Sequence, residues 1–355
     1  PPELYHLKQQ KTALEDQLLR TMSSNLKEVS FKARGSGKSG LFDVSNPGQE
    51  VLERSSAYLD PNNGNIIINI KAGFPANGRT INSRELDFML FTLLPQIVAK
   101  SLFYSSYDPS LLQRRAELAE DQFFLRESLK SMNLVAFIAN GSVLPRQSGV
   151  SDLPMNDSTC VKFESPPTTS VEIKLPNHGI IRGMGIKKGV TLIVGGGYHG
   201  KSTLLEALER GVYDHIEGDG REFVITDDSA VKIRAEDGRF VKDVNISMFI
   251  NDLPNGKDTI CFNSLDASGS TSQAANVIEA MESGSRLLLI DEDTSATNFM
   301  VRDELMEKVV SRSHEPITPY IHRVRQLYEK FGISSIIVAG SSGCFFHVSD
   351  TIIQM

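Results

Sequence analysis

The sequence predicts an α/β protein with two regions: a mixed, mainly helical N-terminal region over residues 1–130, and a second region over residues 131–355 built on a largely parallel sheet flanked by helices. Two observations carry this prediction. In the first third of the chain, apolar residues recur at helical spacing. In the second region, short apolar segments at residues 191–194 and 287–290 run directly into a glycine-rich or an acidic turn, as strands of open parallel sheets do where they carry a site.

The composition fits a globular protein of two ordinary domains, with 355 residues of which 40% are apolar. No apolar run approaches the roughly 20 residues of a membrane span. The three cysteines lack zinc-site spacing, and we expect them to be buried free thiols. Asp and Glu outnumber Lys and Arg by 44 to 37, which argues weakly against a dedicated nucleic-acid binder. We expect a soluble, intracellular protein, although a chain beginning with Pro1-Pro2 does not reveal a targeting segment.

Helical periodicity is clearest in three segments of the first region. It runs from Leu4 to Met22, and again over residues 85–103 and 114–132. The expected strands are apolar runs bounded by turn residues: 65–70 (NIIINI), 134–139 (LVAFIA), 171–175 (VEIKL), 222–226 (EFVIT) and 334–340 (SSIIVAG).

Residues 35–40, GSGKSG, contain Gly-Lys-Ser but lack the surroundings of a phosphate-binding loop. Lys32 stands where the first glycine is needed, and the residues after Ser39 resemble a strand rather than a helix. We therefore predict a basic turn. The nearby cluster of Lys27, Lys32, Arg34 and Lys38 is either a solvated loop or a contact for a polyanion.

A second Gly-Lys-Ser, in TLIVGGGYHGKST, has the required surroundings. An apolar strand ends at Gly195, and Gly200-Lys201-Ser202 opens a strong helix-forming segment, which completes the pattern GxxxxGK[ST]. Main-chain amides at the helix start would cradle phosphates, Lys201 would reach the β and γ phosphates, and Ser202 would ligate Mg²⁺. The candidate nucleotide-binding residues are Gly195, Gly196, Gly197, Tyr198, His199, Gly200, Lys201, Ser202 and Thr203.

A second strand that ends in carboxylates is expected beside this loop. In SRLLLIDEDTSATN, residues 287–290 form a short buried strand that ends at Asp291 and Glu292. Asp291 would hold Mg²⁺ through water, and Glu292 would act as the general base for the attacking water. Asp293 is better explained as a solvated acid at the entry to a helix.

The stretch ASGSTSQAANVIEAME, residues 267–282, places Ser268 and Gly269 before a helix, about twenty residues ahead of Asp291. A helix start of this kind can bind an anion. Taken alone, the stretch would be only a helix N-cap, so its spacing to Asp291 is what favours a functional interpretation.

These motifs together resemble those of the ABC-class ATPase family of P-loop proteins. The resemblance covers nearly the whole chain and includes NPGQEVLERS, LPRQSGVSDLP, GVTLIVGGGYHGKSTLL, ASGSTSQAANVIEA, LLLIDEDTSATNFMVRD and EPITPYI. It implies ATP and ADP as ligands, Mg²⁺ as cofactor, and catalytic roles for Lys201, Glu292, Ser268 and Gly269. Ser268 and Gly269 would act on the γ-phosphate of the opposite subunit of a homodimer, and residues 295–298 (SATN) would line its interface.

Within the family, the sequence is similar to the kinetoplastid branch associated with mitochondrial RNA editing. That likeness implies RNA and RNA-editing or RNA-processing proteins as partners, and a mitochondrial rather than a cytoplasmic location. Two functions stay open: an ATPase that acts mechanically on RNA or an RNA–protein complex, and an ATP-dependent dimer clamp for protein partners without nucleic acid. Neither involves a membrane.

The sequence also departs from ordinary ABC ATPases. No Gln occurs between Thr203 and Ala267, so the usual Q-loop residue is missing, and Asp227 or Asp228 is a candidate substitute. The switch histidine after the last core strand is missing as well. Ser341 stands near its place, and His347 lies too far along. We therefore expect slow turnover.

Overall fold

The computed structural model describes residues 2–156, 158–254, 256–302, 315–340 and 343–355. Its α-helices are α1 Lys8–Val29, α2 Ser83–Asp87, α3 Leu94–Leu102, α4 Pro109–Ser131, α5 Lys201–Arg210, α6 Gly269–Glu282, α7 Thr297–Met300 and α8 Val324–Phe331. Its strands are β1 Phe42–Asp43, β2 Glu50–Val51, β3 Ala57–Leu59, β4 Ile66–Ile68, β5 Lys71–Ala72, β6 Ala76–Asn77, β7 Thr80–Ile81, β8 Leu134–Ala139, β9 Arg146–Ser148, β10 Ser151–Pro154, β11 Ser170–Leu175, β12 Gly179–Lys187, β13 Val190–Val194, β14 Asp214–His215, β15 Val224–Thr226, β16 Val231–Ile233, β17 Arg239–Val244, β18 Phe262–Ala267, β19 Leu287–Asp291, β20 Ser334–Ala339 and β21 Thr351–Gln354. Short 3-10 helices occupy Pro2–Leu4, Tyr104–Ser106, Glu292–Thr294, Tyr320–His322 and Cys344–Val348.

The second region is built on a five-stranded sheet in the order β16-β19-β20-β13-β21, in which every neighbouring pair is parallel. Successive residues of its central strands are buried on opposite faces. In β20, Ile336 and Val338 enter one apolar core, whereas Ile337 and Ala339 enter the other. Continuous apolar strands of this kind need cover on both sides, and the structure confirms the predicted α/β class.

Helices and a second sheet supply that cover. One face packs against α6 and α8, together with the aromatic side chains of Phe249, Phe299 and Tyr320. The other face packs against α5, whose leucines also contact a separate antiparallel sheet in the order β11-β12-β8-β15. Helix α5 therefore lies between two sheets, which fixes the helix that follows the glycine-rich loop.

The N-terminal region is mixed and mainly helical, as predicted. Helix α1 packs against α3 and α4, and its residues Leu19, Met22 and Leu26 share a core with β1 and β3. The segment predicted as one helix over 85–103 contains α2, a π-helical stretch Phe88–Leu93, and α3. Pro95 near the start of α3 cannot donate a main-chain hydrogen bond, which accounts for the altered pattern in the preceding turn.

Two details differ from the sequence expectations, the end of α1 and the exposure of the cysteines. Helix α1 begins at Lys8 and continues to Val29, beyond the last apolar residue of the pattern. The cysteines are not buried as expected: Cys261 and Cys344 are exposed, and Cys160 is partly exposed. Within the described part of the chain, no helix is both long and apolar enough to cross a bilayer.

A buried ionic network holds the turn after α5. Arg146 donates two hydrogen bonds to the carboxylate of Asp219, at 3.0 and 2.9 Å, and His215 Nδ1 lies 2.8 Å from the same carboxylate. Burial opposes ionisation of Asp219, but the hydrogen bond and charge of His215 and the charge of Arg146 outweigh it, so the pKa of Asp219 lies below its ordinary 3.8.

Replacing Asp219 is expected to destabilise the fold strongly. Asp219→Ala leaves Arg146 and His215 buried without their shared partner, which should lower the free energy of unfolding by about 3 kcal/mol or more. Asp228→Ala, at an exposed ion pair with Arg286, serves as the control and should cost less than about 1 kcal/mol. Urea unfolding measures both, and equal losses would contradict the network's importance.

The lowered pKa of Asp219 also predicts that the protein loses stability in acid. Because the folded pKa of Asp219 is lowered, its contribution is present at neutral pH and is lost as pH falls below 3.8. Asp219→Ala should lack this part of the pH dependence.

Candidate functional site

The glycine-rich loop joins β13 to α5 as the sequence predicted, and two of its glycines are required by geometry. Gly195 has φ 151°, and an added Cβ would lie 2.8 Å from the carbonyl oxygen of Met355. Gly200 has φ 86° and is the N-cap of α5. Gly196, Gly197, Tyr198 and His199 lie between them, and Ser202 and Thr203 stand in the first helical turn. The unpaired amides of that turn are donors for an anion.

Lys201 spans the loop. Its ammonium group donates hydrogen bonds to the carbonyl oxygens of Gly195 at 2.7 Å and Gly196 at 2.8 Å. The loop is also braced from the side by the last strand, because Met355 N donates to Val194 O at 2.8 Å and His199 Nδ1 lies 3.1 Å from Met355 O. Sequence reasoning missed this brace, since nothing local indicates that β21 pairs with β13.

Asp291 and Glu292 lie at the carboxyl end of β19, on the same edge of the sheet as the loop. Strand β20 stands between β19 and β13 and pairs with both. Burial raises the pKa of Asp291, the neighbouring Asp293 charge adds to the effect, and the ammonium groups of Lys232 and Lys201 oppose it. One strand, β20, lies between the strands that carry the two predicted motifs, so both motifs lie at the same edge of the sheet.

The donor atoms at this edge suit a magnesium ion. The Asp291 carboxylate accepts a hydrogen bond from Asp293 N at 3.2 Å through Oδ1, and Ser202 is exposed at the start of α5. Carboxylate and hydroxyl oxygens are the ligands that Mg²⁺ prefers, with water filling the other positions. A buried carboxylate whose pKa is raised gains most from a nearby cation. The Asp293 side chain is exposed, in agreement with its expected solvated role.

Glu292 begins the 3-10 turn after β19. Its Oε2 accepts a hydrogen bond of 2.8 Å from Gly340 N, at the end of β20. The carboxylate is thus held at the sheet edge by the neighbouring strand.

Ser268 and Gly269 lie at the N-terminus of α6, but not beside the loop of the same chain. Gly269 faces the segment after β16, where a Cβ on Gly269 would lie 3.2 Å from Asp237 Oδ1. Strand β16 is three strand positions from β13, or about 14 Å at the usual spacing between strands. The Ser268 hydroxyl contacts Thr271 Oγ1 at 3.0 Å rather than a main-chain amide of its helix. The start of α6 is therefore separated from the loop and from Lys201.

Gln273, one turn further along α6, is fully buried and joins this helix to the segment after Asp291. Its Nε2 donates to Ser295 Oγ at 2.9 Å, and its Oε1 accepts from Ala296 N at 2.8 Å. Ser295 Oγ in turn donates to the carbonyl oxygen of Asp291 at 2.8 Å. The polar groups in this contact are mutually satisfied, which fixes the relative position of α6 and the 295–298 segment.

Neither suggested substitute for the Q-loop residue, Asp227 or Asp228, lies at the candidate site. Asp227 accepts hydrogen bonds from Ser229 and Arg286, and Asp228 accepts one from Arg286. Arg286 precedes β19, at the end of the strand opposite Asp291. The segment that reaches the carboxyl edge beside β19 is instead residues 234–239, RAEDGR, because β16 ends at Ile233. The short strand Val231–Ile233 in the motif AVKIRAEDGR was the signal that could have indicated this.

The remaining candidates for the switch position are not brought into the site. Ser341 lies outside the described residues. His347 is exposed on the 3-10 helix Cys344–Val348. The GSGKSG stretch is followed by β1 and not by a helix, which confirms the prediction that it is not a phosphate-binding loop.

The sheet is all parallel, with a GxxxxGK[ST] loop after one strand, acidic residues after another, and a third strand between the two. This arrangement defines a P-loop nucleotide-binding protein. Residues 108–355 match the family model ABC_ATPase, described as the P-loop domain, and residues 1–105 match the model for the N-terminal part of ATPases of the ABC class. The chain therefore belongs to the ABC-class P-loop ATPases.

A curated relative supports the same family without adding a function. The chain is 34% identical over 248 residues to an uncharacterized protein, MJ1628, of Methanocaldococcus jannaschii. The match covers 65% of this chain and 52% of the archaeal protein, so the chain spans about half the length of that relative.

The raised pKa of Asp291 predicts that removing the charge of this side chain stabilises the folded protein. A carboxyl group whose folded pKa is raised destabilises the folded state at pH values above that pKa. Asp291→Asn should therefore raise the melting temperature of the nucleotide-free protein at pH 8, by about 2–4 °C for each kcal/mol gained, although it removes a carboxylate that a magnesium ion would need. The gain should shrink at pH 5, and a lower melting temperature for Asp291→Asn at pH 8 would contradict the argument.

Proposed function

We propose that this protein binds Mg²⁺-ATP and hydrolyses it to ADP and phosphate within a homodimer in which each nucleotide lies between two subunits. The observation that carries the proposal is that the start of α6 lies beside the segment after β16, and β16 is three strand positions, or about 14 Å, from the strand that leads into the loop of the same chain. Two chains related by a twofold axis would each supply what the other site lacks. We also propose the division of the chain into an N-terminal region, 1–130, and an ATPase region, 131–355.

In this site the amides of residues 196–202 bind the phosphates, and the Lys201 ammonium leaves the carbonyls of Gly195 and Gly196 for the β and γ phosphates. Mg²⁺, held by Ser202 and by Asp291 through water, would neutralise charge on the phosphates. Glu292 accepts a proton from the attacking water, whose oxygen bonds to the γ phosphorus as the bond to the β-phosphate oxygen breaks. Ser268 and Gly269 of the opposite subunit would meet the γ-phosphate.

We further propose that the ATPase acts on RNA or an RNA–protein complex. Its support lies in the loops 31–41 and 71–84 of the N-terminal region, which are joined by hydrogen bonds such as Gly40 N to Gly73 O at 2.8 Å. They carry exposed cations that have no ion pair within the described ranges: Lys32, Arg34, Lys38, Lys71, Arg79 and Arg84. Phe31 and Phe74 on the same loops are exposed, and basic groups interleaved with aromatic rings suit single-stranded nucleic acid.

A role in mitochondrial RNA editing rests only on the likeness of the motifs to the kinetoplastid branch, and the same likeness carries the mitochondrial location and the editing partners. The alternative is an ATP-dependent clamp for protein partners. The absence of a Q-loop Gln and of a switch histidine in the sequence favours slow turnover, which suits a clamp as well as a motor.

ATP is expected to stabilise the dimer more than ADP does, because only the triphosphate supplies the anion shared between subunits. Glu292→Gln, which should slow hydrolysis by about 100-fold or more, keeps ATP intact while sedimentation measures the mass. Adding Ser268→Arg should abolish the ATP-dependent dimer. Ser283→Arg, at the other end of α6, should leave it unchanged.

Lys201→Ala in the same background removes the main countercharge for the phosphates and should stay monomeric with ATP. If the protein dimerises equally with ATP, with ADP and without nucleotide, or if the ATP-dependent dimer survives Ser268→Arg, the proposal that each nucleotide lies between two subunits is contradicted.

RNA binding is tested by reversing charge on the basic loops. The triple change Lys32→Glu, Arg34→Glu and Lys38→Glu should weaken binding of a labelled single-stranded RNA by about tenfold or more and reduce the salt dependence of binding. The matched control is the triple change Lys174→Glu, Lys187→Glu and Lys188→Glu. It alters the net charge by the same amount, on exposed residues of β11 and the end of β12. Equal effects of the two triples would favour the clamp.

A further inference from the structure

We propose that the main-chain amide of Gly340 positions the Glu292 carboxylate for proton transfer, in the place where the family resemblance leads one to expect a histidine side chain. The inference rests on the proposed ATPase function and adds a positioning residue to it. The contact that carries it is the hydrogen bond of 2.8 Å from Gly340 N to Glu292 Oε2.

The register of the sheet makes this contact a consequence of the fold. Asp291 is paired with Val338 in the parallel ladder between β19 and β20. Glu292 and Gly340 follow directly on their strands, so the amide meets the carboxylate just beyond the last ladder bonds. Ala339, next to Gly340, is buried in the core below the sheet edge. Strand pairing and core packing therefore hold the Gly340 amide in place, so the donor does not depend on the ordering of a side chain.

Holding Oε2 matters for a general base. A glutamate side chain without such a contact samples several rotamers, and ordering it for the reaction costs free energy. The hydrogen bond from Gly340 N orders the Glu292 side chain before the reaction begins. The bond to a main-chain amide also fixes the plane of the carboxyl group, which decides where it can accept a proton from water. A misplacement of about 1 Å in such a group can cost 100-fold in rate.

Gly340 allows a test with a matched pair of variants. Gly340→Pro removes the N–H, and the preceding residue, Ala339, ends an extended strand, as a residue before proline prefers. Gly340→Ala keeps the N–H, its Cβ would meet nothing within 4 Å, and φ lies outside the left-handed region. We expect Gly340→Pro to lower kcat by about 10- to 100-fold with KM for ATP and the ATP-induced rise in melting temperature unchanged. Gly340→Ala should stay within about twofold of the unchanged protein in kcat, since the donor remains.

A double-mutant cycle separates positioning from a general disturbance of the loop. If the amide acts through Glu292, Gly340→Pro should have no further effect on the residual rate of Glu292→Gln. Equal kcat for the proline and alanine variants would overturn the inference, as would a loss of ATP binding in Gly340→Pro or an equal fold-loss in the Glu292→Gln background. Full activity of Glu292→Gln would instead overturn the general-base assignment of the proposed function itself.

Discussion

The hydrogen bonds of β20 to its two neighbours are the constraint on which the site depends. They separate the strand that leads into the glycine-rich loop from the strand that ends at Asp291 by two strand positions, or about 10 Å. That gap is what a triphosphate and its metal ion would fill, with Lys201 reaching from one side and the carboxylates from the other. The same strand ends at the Gly340 amide that contacts Glu292. The distance between the two candidate motifs and the orientation of Glu292 therefore both depend on β20.

This arrangement is possible because both faces of the sheet are covered. Leucine and isoleucine residues of β19 alternate between two cores, so polar chemistry is confined to the ends of the strands, and the candidate site lies at the carboxyl edge. At that edge, Asp291 is 7% exposed and its pKa is raised by burial. The protein accepts this unfavourable burial where a cation is expected to relieve it, as functional sites commonly do at some cost in stability.

The sequence predicts the strands, the loop and the order of the motifs because each has a local signature: an apolar run, a glycine spacing, a helix-forming segment. It does not predict contacts that depend on pairing between distant strands. The brace of Met355 against Val194 and the amide of Gly340 are of this kind. Asp227 was misassigned for the same reason, because an acid after a strand shows neither which end of the sheet it meets nor that Arg286 engages it. The cysteines were misassigned because residue type alone does not determine exposure.

The P-loop helix also connects the two regions of the chain. Its N-terminus meets the predicted phosphate site, while near its C-terminus the carbonyl oxygen of Arg210 lies 3.2 Å from His215 Nε2. His215 belongs to β14, which pairs with β2 of the N-terminal region, and its carbonyl oxygen accepts a hydrogen bond from Gln122 of α4. A shift of α5 on nucleotide binding would therefore strain, through His215, the contacts with α4 and β2. A buried, fully paired network is stiff, since each polar group left without its partner costs about 1–3 kcal/mol. The fold thus favours movement of the N-terminal region together with the helix over movement of the helix alone.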